Sequence, residues 1–264
     1  MHKIFFTILL SLAVLLTGCS EFQKALKSKD YEYKYEKAVY YFEQEDWYRS
    51  QSLINDVLSV YRGTAKAKKL YYMKAYTHYN QAEYILGAYH FRNFIKTYPN
   101  DELTQECEFM LAECFRHESP RFSLDQQNTR KAIQGYQMFI NKYPKSDKVE
   151  LANSRIEELR MRLEKKSFEN SRLYYQLRDY KAAAIALKNT LDEFPDTEFR
   201  EELLYLIMKS NYLLADNSIK KIQKERYQET IDSYYVFIDE FPDSEKTKEA
   251  EKIFERSVEE IKKQ

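Results

Sequence analysis

The sequence predicts an all-α fold of about five similar helix pairs followed by one further helix. The first observation is a recurring ending: an apolar pair, two variable residues, an aromatic residue and a proline. It is complete at Phe94–Pro99, Phe139–Pro144 and Phe237–Pro242, keeps its second half at Leu191–Pro195, and is weaker at Val57–Arg62. The second observation is composition, because only 4 Gly and 5 Pro in 264 residues argue against β-rich and loop-rich folds.

The residues upstream of each ending align as well. Fifteen positions before the proline, four of five copies carry an aromatic residue: Trp47, Tyr84, Thr129, Tyr180 and Tyr227. Twelve positions before it the residue is small or short: Ser50, Gly87, Ala132, Ala183 and Thr230. Eight positions before it the residue is large: Ile54, Phe91, Tyr136, Leu187 and Tyr234. These offsets describe one helix face that ends at a proline.

This pattern resembles the second helix of a tetratricopeptide repeat, which implies a superhelix of stacked helix pairs. Spacings of 37, 45, 51 and 47 residues exceed the minimal repeat of about 34, so the units carry inserts. The expected units are 30–62, 64–99, 100–144, 145–195 and 196–242. Inserts are expected at 116–128, as a structured loop, and at 215–226, as a basic loop. One long helix is expected over Val149–Gln176, since no Gly or Pro occurs between Lys145 and Phe194.

The last segment, 243–264, predicts an amphipathic helix with Ile253, Phe254, Val258 and Ile261 on one side. Such a helix caps a repeat array by covering its last apolar face. Docking of a partner on this helix is the alternative.

The N-terminus predicts a lipoprotein signal peptide over residues 1–18. The apolar run Ile4–Leu16 is too short to span a membrane and suits a signal peptide. Leu16-Thr17-Gly18-Cys19 then resembles a bacterial lipobox, which implies cleavage before Cys19 and acylation of its thiol, for example by palmitate. An ordinary signal peptide with an incidental cysteine is the alternative. Ser20 favours sorting to the outer membrane, and 19–29 is expected to form the lipid anchor and a charged tether.

Composition and motifs argue against several function classes. Lys plus Arg and Asp plus Glu both number 42, so no global basic field for nucleic acid exists. His78, His90 and His117 do not have metal-site spacing, and Cys107 and Cys114 lack a Cys-x-x-Cys pattern and are expected to be buried thiols. Isolated glycines form no phosphate-binding loop. We therefore expect no enzyme, no cofactor and no metal.

The lipobox, tether, repeated ending and capping helix together resemble the BamD family of lipoproteins, which serve the machinery that inserts β-barrel proteins into the bacterial outer membrane. The most specific part is Phe109–Phe115 with Ser119–Gln126, which is similar to the loop of Bacteroidota-type members. Arg62, where the other units have proline, departs from the pattern. The resemblance implies a periplasmic scaffold on the outer membrane. Its expected partners are the periplasmic domains of the barrel-forming subunit, unfolded barrel substrates and companion lipoproteins.

Two sets of residues are candidates for these contacts. A Tyr-lined groove could accept the aromatic ends of unfolded barrel strands, and its candidates are Tyr35, Tyr41, Tyr72 and Tyr79. The basic insert could dock a partner through Lys220, Lys221, Lys224 and Arg226. The alternatives are tyrosines that fill the core and lysines that are merely solvated.

Two other binding functions remain open. One is a periplasmic repeat adaptor for cell-wall or envelope-constriction complexes, although such adaptors often carry a coiled coil and an ordinary signal. The other is a lipoprotein for nutrient capture, which would need a ligand-binding region for which this chain is too short.

Overall fold

The computed structural model describes residues 21–263, in which helices joined by turns and loops form the whole fold and no strand occurs. The chain divides into two compact units, with the boundary after Leu159, and each unit is described by itself. The all-α prediction is confirmed. The expected signal peptide and Cys19 lie outside the described residues.

The first unit contains three helix pairs preceded by a short helix. Its helices are α1 (residues 21–27), α2 (Tyr31–Glu43), α3 (Trp47–Val57), α4 (Ala65–Asn80), α5 (Tyr84–Thr97), α6 (Leu103–His117) and α7 (Gln127–Lys142). Each helix packs on the next from α2 to α7, and α4 also contacts α6. Contact between the first helices of successive pairs is the arrangement expected of stacked repeats.

The predicted long helix is confirmed as α8 (Val149–Gln176), within which the boundary between the units falls. The second unit continues with α9 (Tyr180–Glu193), α10 (Arg200–Asp216), α11 (Lys220–Glu240) and α12 (Thr247–Lys262). Helix α12 contacts both α10 and α11. It buries Ile253 and stacks Phe254 on Tyr234 with ring centroids 4.6 Å apart, as a capping helix should.

The aromatic residue before each of the four prolines that end a repeat unit stops its helix in the same conformation. Tyr98 has φ −129° and ψ 58°, and Tyr143, Phe194 and Phe241 adopt nearly the same angles. Proline excludes the α conformation from the residue before it, so the helix must stop there. Where Arg62 replaces proline, α3 already ends at Val57, and the chain passes through turns to Gly63 at φ 82°. The predicted proline stop is confirmed.

The small residues of the repeat allow paired helices to approach closely. All five are buried, and the Ser50 hydroxyl donates to the Ala38 carbonyl at 2.9 Å. A Cβ on Gly87 would lie 3.2 Å from the Cys114 sulfur and 3.4 Å from the Tyr79 nitrogen. Larger side chains at this position would force the two helices apart.

Two expectations about segments outside the repeats are wrong. Residues 21–27 form α1 rather than a free tether, because Phe22 and Ala25 are buried and Phe22 packs edge-on against Tyr41 with centroids 5.8 Å apart. The basic insert is not a loop either, since α11 begins at Lys220 and only residues 217–219 connect it to α10. Buried Tyr227 and Ile231 continue the apolar stripe of α11 and favour the longer helix.

The other insert is an ordered loop, as expected, although it spans only residues 118–126. The buried Gln126 amide donates to the carbonyls of Arg121, Phe122 and Leu124, and its oxygen accepts from Thr129. One side chain therefore closes the loop onto the start of α7.

Three helix pairs share a tight turn with a left-handed residue that is not glycine. Glu45, Ala82 and Arg178 have φ values of 57°, 60° and 63°. In each turn the following residue donates a backbone hydrogen bond five residues back, as in a Schellman motif. Left-handed geometry strains a residue with a Cβ and favours glycine.

We predict that Ala82→Gly stabilises the protein by about 0.5–1 kcal/mol, because glycine relieves the left-handed strain and Ala82 is exposed. The measurement is urea unfolding followed by circular dichroism. The matched control is Ala186→Gly within α9, which should destabilise by about 1 kcal/mol. Equal destabilisation at both positions would contradict the assignment of strain to the turn.

Candidate functional site

The clearest polar and aromatic cluster of the first unit lies between α4 and α6. Tyr72, Tyr76 and Tyr79 recur at helical spacing along one face of α4. The hydroxyls of Tyr72 and Tyr76 donate to the two oxygens of Glu106, at 3.1 and 2.7 Å. The rings of Tyr72 and Tyr76 lie 4.7 Å apart, so the half-buried tyrosines form a continuous patch.

Burial keeps these hydroxyls protonated. It raises the pKa of Tyr72 and of Tyr76 well above the usual value, and the hydrogen bonds to Glu106 act in the same direction. A protonated phenol donates hydrogen bonds and offers an apolar ring, but it is neither a nucleophile nor a base at neutral pH. The patch is therefore suited to binding.

Tyr79 extends the patch towards the end of α6. Its hydroxyl lies 3.1 Å from His117 Nε2, and the His117 ring stacks on Tyr84 with centroids 4.3 Å apart. Burial raises the pKa of Tyr79 to about 12. Burial and the charge of Arg116 lower the pKa of His117, which favours its neutral form at neutral pH.

A buried carboxylate, Glu113, lies on α6 between Glu106 and His117. It accepts hydrogen bonds from the Arg116 guanidinium, at 2.7 Å from Nη2, and from the Tyr136 hydroxyl, while Arg155 Nε lies 3.5 Å away. Burial opposes its ionisation, but the hydrogen bonds and the two positive charges outweigh that effect and hold the pKa of Glu113 below its usual value. Glu113 thus joins α6, α7 and α8 within the first unit.

The structure separates the four tyrosines proposed from the sequence. Tyr72 and Tyr79 belong to the patch. Tyr35 lies on α2, where it meets Tyr61 with centroids 5.6 Å apart, and the Lys66 ammonium lies 4.9 Å from its ring centre. Tyr41 is only 5% exposed and packs in the core, so it cannot line an open groove.

Sequence reasoning missed Tyr76, Glu106 and Glu113. The signal for Tyr76 was available, because it lies four residues after Tyr72 and three before Tyr79 on one helical face. Glu106 and Glu113 lie seven residues apart on the next unit's first helix. Their pairing with tyrosines of other helices cannot be recognised until the helices are stacked.

The proposed docking cations lie on the first two turns of α11. Lys220, Lys221 and Lys224 are exposed, whereas the Arg226 guanidinium donates to the Ser218 hydroxyl and fixes the helix start. Their role in docking a partner stays a prediction.

The cysteines and the potential metal ligands of the described residues do not form a further site. Cys107 and Cys114 are buried, and burial raises the pKa of the Cys114 thiol to about 12. Across residues 21–263, no three His, Cys, Asp or Glu side chains are grouped to hold a metal ion. None of the helices described combines the length and apolarity needed to cross a membrane.

We predict that Glu113→Ala destabilises the protein by about 3–5 kcal/mol, because Arg116, Arg155 and the Tyr136 hydroxyl would lose their shared partner. Chemical unfolding measures the loss. The matched control on the same helix is Glu108→Ala, which breaks an exposed pair with Lys142 and should cost no more than about 1 kcal/mol. Similar losses for both variants would contradict a central role for Glu113.

Comparison with models of protein families identifies the chain. Residues 27–227 match the YfiO family, described as outer membrane lipoprotein, and this match covers roughly three quarters of the 264 residues. Curated proteins yield no match to the chain. On the family match, the chain belongs to the YfiO family of outer membrane lipoproteins, which includes BamD-like tetratricopeptide-repeat proteins.

Proposed function

We propose that this protein is a lipid-anchored periplasmic scaffold of the machinery that assembles β-barrel proteins in the outer membrane. It binds the periplasmic domains of the barrel-forming subunit and receives unfolded barrel substrates. The family match carries the proposal, since it covers most of the helix pairs and describes an outer membrane lipoprotein. Stacked helix pairs support it because they offer extended surfaces for protein partners.

The anchor in this proposal is Cys19, which lies outside the described residues. Its acylation would hold the folded units at the periplasmic face of the outer membrane. Among the described residues, α1 begins at Glu21, and its Phe22 packs in one core cluster with residues of α2 and α3. Only a short stretch of chain would therefore separate the anchor from the first helix pair. The first unit would therefore lie close to the membrane surface.

The tyrosine patch is the proposed contact for unfolded substrates. The final strand of an outer-membrane barrel alternates apolar and polar residues and carries aromatic side chains at its ends. Rings of Tyr72 and Tyr79 can pack on such aromatic residues, and Glu106 and His117 hold the tyrosine hydroxyls in place. The groups of this patch suit binding, which supports the role of a scaffold.

The decisive experiment is affinity purification from detergent-solubilised envelopes with a tag after Gln264. We expect stoichiometric co-elution of an outer-membrane barrel protein that has repeated periplasmic domains. A Cys19→Ser variant should leave the membrane fraction, because acylation requires the thiol. Recovery of cell-wall or division proteins alone would exclude the assembly machinery and support a repeat adaptor for envelope constriction.

We predict that Tyr72→Leu combined with Tyr79→Leu weakens binding of unfolded barrel ends about tenfold, which corresponds to about 1.4 kcal/mol. Leucine keeps the apolar packing but removes the rings and hydroxyls. The probe is a fluorescein-labelled peptide of about ten residues that alternates apolar and polar residues and ends in Phe. Fluorescence anisotropy measures its binding. Tyr174→Leu, at an exposed tyrosine of α8, is the control. Unchanged affinity of the double variant would remove the patch from the proposal.

A further inference from the structure

A second surface of the first unit has the features of a docking groove. It lies between α5 and α7, with α6 as its floor, and has a volume of about 460 Å³. Apolar side chains line it, namely Ile95, Leu111, Phe115 and Met138. Met138 is 63% exposed, so its side chain is accessible to a ligand in the groove.

Two cations at this groove have no carboxylate partner among the described residues. Arg92 and Lys131 approach the ring of Phe115, and their charged groups lie 5.8 and 5.6 Å from its centre. Lys142, further along the groove, is already paired with Glu108 at 2.7 Å. The groove thus combines an aromatic floor with two positive charges that remain available to a ligand.

The close packing of α6 and α7 shapes the groove. A Cβ on Gly135 would lie 2.9 Å from the Ala112 Cβ, closer than real contacts allow. Since Gly135 lines the groove, the absence of a side chain there also leaves room above α6.

The equivalent groove of the second unit has no aromatic lining residue and mixes carboxylates with its cations. A groove of about 820 Å³ between α9, α10 and α11 is lined by residues at equivalent repeat positions. Counted from the prolines, Glu229 replaces Lys131, Asp232 replaces Gln134 and Asn211 replaces Phe115. Lys188 keeps a cation at the position of Arg92. Helix pairs of this fold therefore pack without an aromatic ring at the Phe115 position and without a cation at the Lys131 position, and packing alone does not explain these two residues of the first unit.

We propose that the groove formed by Arg92, Phe115, Lys131 and Met138 binds an acidic amphipathic helix of a partner protein. Apolar side chains of that helix would enter between α5 and α7, and its carboxylates would meet Arg92 and Lys131. This inference does not depend on the function proposed above. It adds an interaction surface distinct from the tyrosine patch, which lies on α4 and α6.

The geometry favours a helix over an extended strand. The groove walls are helices, whose backbone groups are already bonded internally, so no strand edge is available for main-chain pairing. Along α7 the lining extends from Lys131 to Lys142, which corresponds to about 16 Å at 1.5 Å per residue. This length matches about three turns of a docked helix.

The test uses full-length protein in detergent and two fluorescein-labelled peptides of about 14 residues. One is an amphipathic helix of Leu, Ala and Glu, and the other has Lys at every Glu position. We expect the Glu peptide to bind at least about tenfold more tightly than the Lys peptide, and this preference to fall as salt is added. Equal affinity for the two peptides would overturn the proposal.

Variants locate the site. Arg92→Glu with Lys131→Glu should weaken binding of the Glu peptide at least about tenfold, and Met138→Glu, at an exposed position, should also weaken it. The matched control is Arg130→Glu, an exposed neighbour on α7 that does not line the groove. Equal weakening by Arg130→Glu would indicate general charge attraction and would refute the groove. Unchanged binding of the Glu peptide by the Met138→Glu variant and the double variant would also refute it. Thermal unfolding confirms that all variants are folded.

Discussion

The architecture depends on how closely the two helices of each pair can approach. In every pair one buried position on the second helix is occupied by a residue no larger than threonine. At Gly87 the space is so limited that the Cys114 sulfur and the Tyr79 backbone nitrogen would both contact an added Cβ. This spacing sets the distance between α4, α5 and α6, and hence brings Tyr72 and Tyr76 of α4 within reach of Glu106. The tyrosine patch is therefore a consequence of helix spacing.

The periodic features of the chain could be predicted from the sequence, because each depends on residues close together along it. The stop at Tyr98 needs only the proline that follows, and the long helix Val149–Gln176 needs only the absence of glycine and proline. The two wrong predictions concern segments whose structure depends on packing against another helix. Residues 21–29 look like a charged tether until Phe22 is seen to pack on Tyr41, and Lys220 looks like part of a loop until Tyr227 anchors its helix.

The candidate sites show the same limit. Tyr41 and Tyr72 are alike in sequence, but one lies in the core and the other lies on a polar patch, because only Tyr72 faces a carboxylate from the next helix pair. Glu113 carried no recognisable role in the sequence. Its importance arises from Tyr136 and Arg155, which approach from two other helices. Buried charged groups of this kind fix how helices are arranged, since a wrong arrangement leaves them without partners.

The pre-proline stop has a consequence for how the chain can change over time. Because two adjacent residues end a helix, the boundary of a unit is independent of the length of the segment before it. The loop at residues 118–126 precedes α7 and the extension lies at the start of α11, yet both helices still end immediately before their pre-proline residues, Tyr143 and Phe241. Insertions between the two helices of a pair can thus accumulate without shifting the next pair, which leaves each unit free to acquire its own loops and surface chemistry.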